Sequence, residues 1–283
     1  MQAEQATNPV FRQRKLIQRL CHAADERRAQ GRYAAAEPLY RHALALAERL
    51  YAGEEIAAIC NNLAVLYKYT GQFDEAERLY RRALSLLEPS GEAEPLATLY
   101  HNLGGLEHAR GRCAVGEPFA RRSVELRERA LGSHHLHVAA DIAALAALLD
   151  GQGKYDEAEP LYRRALVIFE HEYGSEHYEV AINLNNLAAL KYAQGQWDEA
   201  EPLYRRALAL KEKLLTPAHP DVAMTLNNLA VLCKARGRYD EAATLYRRAL
   251  AIFENTFGTA HPKVMACRKN YEKLMGERAH NED

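Results

Sequence analysis

The sequence predicts an all-α solenoid built from helix pairs, and three observations carry that prediction. One phrase, GQWDEAEPLYRRAL from Gly195 to Leu208, recurs with small changes from Gly31, Gly71, Gly111, Gly153 and Gly237. The copies stand in phase: Gly31, Gly71 and Gly111 are 40 residues apart, and Gly111, Gly153, Gly195 and Gly237 are 42 apart, a period that marks stacked repeats. Apolar residues fall on helical stripes on both sides of each glycine. Every repeat buries its surface only against its neighbours. The 283 residues therefore read as one elongated domain over 10–275, between a flexible segment 1–9 and a polar tail 276–283.

In the copy that begins at Pro220, Val222, Leu226, Leu229, Ala230 and Cys233 form one helical face. This first helix opens after His219-Pro220-Asp221, where proline suits the first turn and a carboxylate complements the helix dipole. It stops at Gly237. The second helix opens at Asp240-Glu241, and its stripe of Ala242, Leu245, Tyr246, Ala249, Leu250 and Phe253 faces back onto the first. In sister copies Asp74, Asp156 and Asp198 precede Glu77, Glu159 and Glu201 by three residues, the spacing of a capping pair. Pro38, Pro118, Pro160 and Pro202 are expected within or at the edge of the first turn of their second helices. A closing helix over 262–275 sets Val264, Met265, Tyr271 and Leu274 among lysines and arginines, as a cap with one wet face should.

Lys plus Arg is 37 and Asp plus Glu is 38, a formal net charge of −1, so no basic excess drives phosphate or membrane binding. The Arg-Arg pairs of the second helices follow Glu77, Glu117, Glu159 and Glu201 by four residues, the spacing of ion pairs worth about 0.2–0.5 kcal/mol on a helix surface. Five scattered cysteines without a C-x-x-C pair read as reduced packing residues. The first residues lack the apolar core of a secretory signal, and no stretch approaches the roughly 18 apolar residues of a membrane span. Cytoplasmic residence without membrane or nucleic-acid partners is the expectation.

The alternation of NNLA-type first helices with G-x-[YFW]-D-E-A-E-P-L-Y-R-R-A-L second helices resembles the tetratricopeptide repeats (TPRs), in the 42-residue variety of kinesin light chains and many bacterial proteins. The likeness spans about Leu16 to Met275. It implies six helix pairs and a closing cap in a right-handed superhelix whose first helices line the concave wall. It also implies protein or peptide partners. Three copies depart from the pattern: Cys21-His22 and Ala143-Ala144 stand in place of Asn-Asn, and Phe119-Ala120 in place of Leu-Tyr.

Function is expected on the first helices, where a second stripe carries asparagines: Asn61 and Asn62, Asn102, Asn185 and Asn186, Asn227 and Asn228, continued by Asn270. An amide offers donors and an acceptor, so such a ladder can hold the backbone of an extended peptide with little regard to its side chains. The alternative is that the amides tie one repeat to the next. Lys68 and Lys234 would add attraction for acidic ligands, or stand solvated. Ala143 and Ala144 leave the floor small and apolar, either as a recess for a bulky ligand side chain or as a gap filled by neighbours.

His135, His177, His219 and His261 recur every 42 residues before first helices, which favours helix-start packing; in-phase residues on helices roughly 8–10 Å apart do not share zinc at about 2 Å bonds. No metal or cofactor is expected. Gly111 and Gly116 have phosphate-loop spacing, but Glu117 stands where lysine is required, and no hydrolase, zincin or dinucleotide motif occurs. The expectation is a non-catalytic scaffold or adaptor that takes an extended peptide. Self-association with a second copy and a peptide-sensing regulatory role are the alternatives.

Overall fold

The computed structural model describes residues 9–259 and 261–282, the last four by backbone alone. Among them are thirteen helices: α1 (Pro9–Ala29), α2 (Tyr33–Arg49), α3 (Gly53–Tyr69), α4 (Phe73–Leu87), α5 (Ala93–Ala109), α6 (Cys113–Leu131), α7 (Leu136–Asp150), α8 (Tyr155–Tyr173), α9 (Tyr178–Ala193), α10 (Trp197–Leu214), α11 (Pro220–Ala235), α12 (Tyr239–Phe257) and α13 (Pro262–Glu282). These are six helix pairs in sequence and a closing helix. They fall into two compact units, Met1–Gly153 and Lys154–Asp283. The expected flexible segment lies, apart from Pro9, outside the described residues.

The turn within each pair explains where its second helix begins. Gly71 adopts φ +78°, a left-handed conformation that costs glycine little. Its N–H bonds to the Lys68 carbonyl and the next N–H, of Gln72, to that of Tyr67, the paired closure of a helix C-terminus known as the Schellman motif. The same two bonds recur at Gly31, Gly111, Gly195 and Gly237. Gln72 is thereby also the residue that leads into α4, and it supplies no side-chain cap.

Asp74 consequently falls at the second helical position, as Asp156 and Asp198 do in α8 and α10. The expected capping pairs do not form. The carboxylates lie in the first turn, where they complement the positive helix end. Pro38, Pro118, Pro160 and Pro202 each stand at the sixth helical residue, beyond the expected first turn. Each forgoes one hydrogen bond to the carbonyl four residues earlier. The closing helix also corrects its expected end at Met275. It runs to Glu282 because the tail holds no proline, and Lys234–Glu277 and Arg278–Asp240 ion pairs of 2.8 Å each fasten the extension.

Small residues let the helices approach. Ala36, Ala43, Ala76 and Ala83 in the first unit, and Ala200, Ala207, Ala242 and Ala249 in the second, are fully buried. Tyr40, Tyr80, Tyr162 and Tyr246 fill the spaces between them. The third pair, with Ala120 in place of this tyrosine, closes differently. A Cβ on Gly104 would touch Ala120 at 3.5 Å, and one on Gly116 would lie 3.1 Å from the Gly104 carbonyl oxygen. Gly116 is thus a contact point between α5 and α6. The closeness of these helices compensates for the missing ring.

The repeated histidines cap first helices. The Nδ1 atoms of His135, His177, His219 and His261 accept the backbone N–H two residues on, at 3.1–3.2 Å. Cys60, Cys233 and Cys267 are buried and unpaired, and burial raises the Cys233 and Cys267 thiols to about 11. They are inert packing groups.

Candidate functional site

The two units each present a row of first helices: α3, α5 and α7 in one, α9, α11 and α13 in the other. Their asparagines form short ladders. Asn61 donates to Asn62 at 3.2 Å, and Asn102 of α5 donates to Asn61 of α3 at 2.7 Å. In the second unit Asn228 of α11 donates to Asn185 of α9 at 3.5 Å, and Asn270 of α13 to Asn227 of α11 at 3.4 Å. Asn227 also donates to Asn228 at 3.4 Å. The amides therefore tie neighbouring repeats together.

They do not all do so equally. Asn185 is buried, and its oxygen also accepts from the Thr225 hydroxyl at 3.2 Å. Asn186, one residue on, is half-buried, and its side chain makes no hydrogen bond among the described residues. An amide has two N–H donors and a carbonyl with two lone pairs. The half-buried Asn62, Asn102, Asn228 and Asn270 each keep unspent valences, and Asn186 keeps all of them.

The two candidate lysines part company. Lys234 is engaged by Glu277 at 2.8 Å. Lys68 has no carboxylate partner among the described residues; its ammonium lies over the Tyr69 ring at 5.5 Å and within 3.6 Å of where a Cβ on Gly105 would sit. Burial alone pushes its pKa below the ordinary lysine value.

Ala144 lines a recess of about 120 Å³ with Gly104, Gly105, Ala147 and Leu148, bounded by His101 and His108. Ala143, also half-buried, is not part of its wall. Beside it, a shallower hollow of about 200 Å³ meets a charge cluster that sequence reasoning missed. Asp141, 2 % exposed, lies 2.7 Å from His101 Nδ1 and 3.0 Å from Arg127 Nε. Burial works against ionisation of Asp141, but His101 and Arg127 outweigh it and hold the carboxyl below its ordinary range. An ionised carboxylate only accepts, so the proton of a neutral His101 ring sits on Nδ1 and Nε2 is an acceptor. The available signal was polarity on a core stripe. Arg127 stands where α8 and α12 place Phe169 and Phe253, and Asp141 where α3 places Ile59.

A tetratricopeptide-repeat profile matches residues 17–88, 95–171, 138–213, 179–255 and 221–282. The chain belongs to the tetratricopeptide repeat family. Among solved structures, BtubC (BKLC) from P. vanneervenii is 26 % identical with a TM-score of 0.64, over 87 % of this chain and 94 % of that one. A putative kinesin light chain of Podosopora anserina with nearly identical TPR-like repeats is 26 % identical with a TM-score of 0.57, over 70 % of this chain and 95 % of that one. A Rap protein complexed with competence and sporulation factor shares the fold at 15 % identity, with a TM-score of 0.64 over 92 % and 75 % of the two chains. No curated protein sequence matches. No helix among the described residues of this TPR chain is long and apolar enough to cross a membrane.

The glutamates of the TPR second helices do more than their spacing suggested. Glu77, Glu117, Glu159 and Glu201 each pair with the arginine four residues on at 2.8 Å. All four also reach the next repeat: Glu77 pairs with Arg110 at 2.5 Å, Glu159 with Lys191 at 2.7 Å and Glu201 with Arg238 at 2.6 Å, and Glu117 accepts from Gln152 Nε2 at 2.9 Å. They join neighbouring repeats by ion pairs and hydrogen bonds that add to those of the asparagines.

Proposed function

We propose that this TPR chain is a non-catalytic cytoplasmic adaptor that holds an extended peptide segment of a partner protein on its first-helix faces. The observation that carries this reading is Asn186, a half-buried amide with unspent donors and acceptor, at the repeat position that Asn62, Asn102, Asn228 and Asn270 hold in their own copies of the sequence. An extended chain advances about 3.3 Å per residue and neighbouring helices lie roughly 8–10 Å apart, so each rung engages about one ligand residue in three. Net hydrogen bonds of about 0.5–1.5 kcal/mol each add up without strict sequence readout. Lys68, short of a carboxylate, favours an acidic ligand residue beside α5. The apolar recess at Ala144 supplies an anchor for a bulky side chain.

Panning a display library of unstructured 12-residue peptides on the full chain tests the reading. Enriched peptides should bind with micromolar affinity and compete with one another. A library that shows no enrichment over a folded, unrelated helical protein overturns it.

A further inference from the structure

A recess of about 270 Å³ opens between α3 and α5 in the first unit. Its floor is apolar, with Ala57, Leu87 and Leu99 almost wholly buried. Asn61 and Asn62 line it two turns along α3 from Glu54, and Glu92 stands at the entry to α5. Neither the Glu54 nor the Glu92 carboxylate makes an ion pair or hydrogen bond among the described residues. Carboxylates elsewhere on this surface are widely paired, Glu55 with Arg14 among them.

The recess lies where this chain lacks a ring that two other copies carry. Tyr173 and Phe257 stand twenty residues after Gly153 and Gly237 and stack on His177 and His261, with centroids 3.9 and 4.4 Å apart. Twenty residues after Gly71 stands Gly91, at φ +68°, with no side chain at all. Pro95 takes the place of the histidine. Helix α4 also ends at Leu87, whereas α8 and α12 each continue through 19 residues. The missing turn leaves Leu87 and Leu99 as the floor of an open hollow.

Its size lies just below the roughly 300–1,000 Å³ of small-molecule sites, which suits a long side chain. An apolar floor beneath two uncompensated carboxylates complements an alkyl stem that ends in a positive charge, and a guanidinium adds paired hydrogen bonds to carboxylate. We propose that this recess takes a basic side chain, arginine foremost, of the peptide held on the first-helix face; the assignment rests on the peptide-binding reading above. Asn61 and Asn62 then hold the ligand backbone while Glu54 and Glu92 select its charge. The floor excludes water from the stem, so the neutral isostere of arginine is disfavoured only at its head.

The test is a titration of N-acetyl-arginine amide into the ¹⁵N-labelled full chain, read at the side-chain amide signals of Asn61 and Asn62. Those signals should shift saturably, and N-acetyl-citrulline amide, of nearly equal shape but neutral, should bind at least tenfold more weakly. Glu54→Gln with Glu92→Gln should abolish the difference between the two compounds while circular dichroism stays unchanged. Equal responses to arginine and citrulline, no response to arginine, or a preference that survives the double substitution overturns the assignment. The two-compound comparison on the unmodified chain decides even where the variant fails to fold. If display-selected peptides bind while arginine amide leaves Asn61 and Asn62 unmoved, this assignment falls and the peptide-binding reading stands. If no peptide binds, both fall.

Discussion

Asn102 donates a 2.7 Å hydrogen bond to Asn61 across the seam between α5 and α3, so one amide both fastens two repeats and faces the surface where a ligand would lie. Asn102→Ala removes a bond worth about 0.5–1.5 kcal/mol and frees the Asn61 oxygen. We expect a small fall in the thermal midpoint together with weaker binding of peptides that lie along the first unit. Scanning calorimetry and isothermal titration on one preparation separate the two effects.

Gly116 is the tightest helix crossing in the third pair. A Cβ there would meet Leu148 Cδ2 at 2.8 Å, Glu107 Cβ at 3.0 Å and the Gly104 carbonyl at 3.1 Å. Gly116→Ala should therefore destabilise the chain by roughly 1–3 kcal/mol, the usual cost of overpacking, despite alanine's better helix propensity. A urea midpoint equal to that of the unmodified chain would show that α5 and α6 separate without cost.

The inter-repeat glutamates give stability a pH dependence. Arg110 holds Glu77, and Arg238 holds Glu201, below the ordinary carboxyl value of 4.5, while for Glu159 Lys191 and Arg163 outweigh the opposing effect of burial. A carboxylate whose folded pKa lies below its unfolded one stabilises the fold fully above the unfolded value and loses that contribution as pH falls through the folded value. The urea midpoint should thus decline as pH drops below about 4.5. In Glu201→Gln the chain should start less stable at pH 7 and decline less steeply; parallel curves for the two proteins would remove Glu201 from the account.

Much of this architecture was legible in sequence because each repeat carries its own signals. The glycine phase, the alanine and leucine stripes and the recurring histidines name the helix pairs and their limits. The expected capping pairs failed because a competing device, the paired carbonyl closure at Gly71 and its sister glycines, occupies the junction and moves Asp74 inside the helix. The tail 276–283 looked like a solvated end because its ties to Lys234 and Asp240 span about 40 residues. At the site, the asparagine row was visible as a periodic stripe. The division between Asn185, which is buried and bonded, and Asn186, which is neither, depends on a one-residue rotation about the helix. Arg127 and Asp141 were overlooked because each stands at a position that sister helices such as α12 and α3 fill with Phe253 and Ile59.

The recess at Ala144 carries a prediction of its own. A leucine there would project into the hollow of about 120 Å³ between α5 and α7, occupying the place of a ligand side chain whose burial is worth roughly 1.5–3 kcal/mol. Ala144→Leu should fold, by circular dichroism, and bind selected peptides at least tenfold more weakly in calorimetric titration. Unaltered affinity in a folded variant would remove the recess from recognition.

The most direct test of the central claim compares two adjacent amides. Asn185 accepts from Thr225 and Asn228 within the chain, whereas Asn186 is unspent. Affinity for a display-selected peptide and the thermal midpoint are measured for Asn185→Ala and Asn186→Ala side by side. The account predicts that Asn186→Ala weakens peptide binding three- to tenfold at an unchanged midpoint, while Asn185→Ala lowers the midpoint. An Asn186→Ala protein that binds every selected peptide as tightly as the unmodified chain would contradict it.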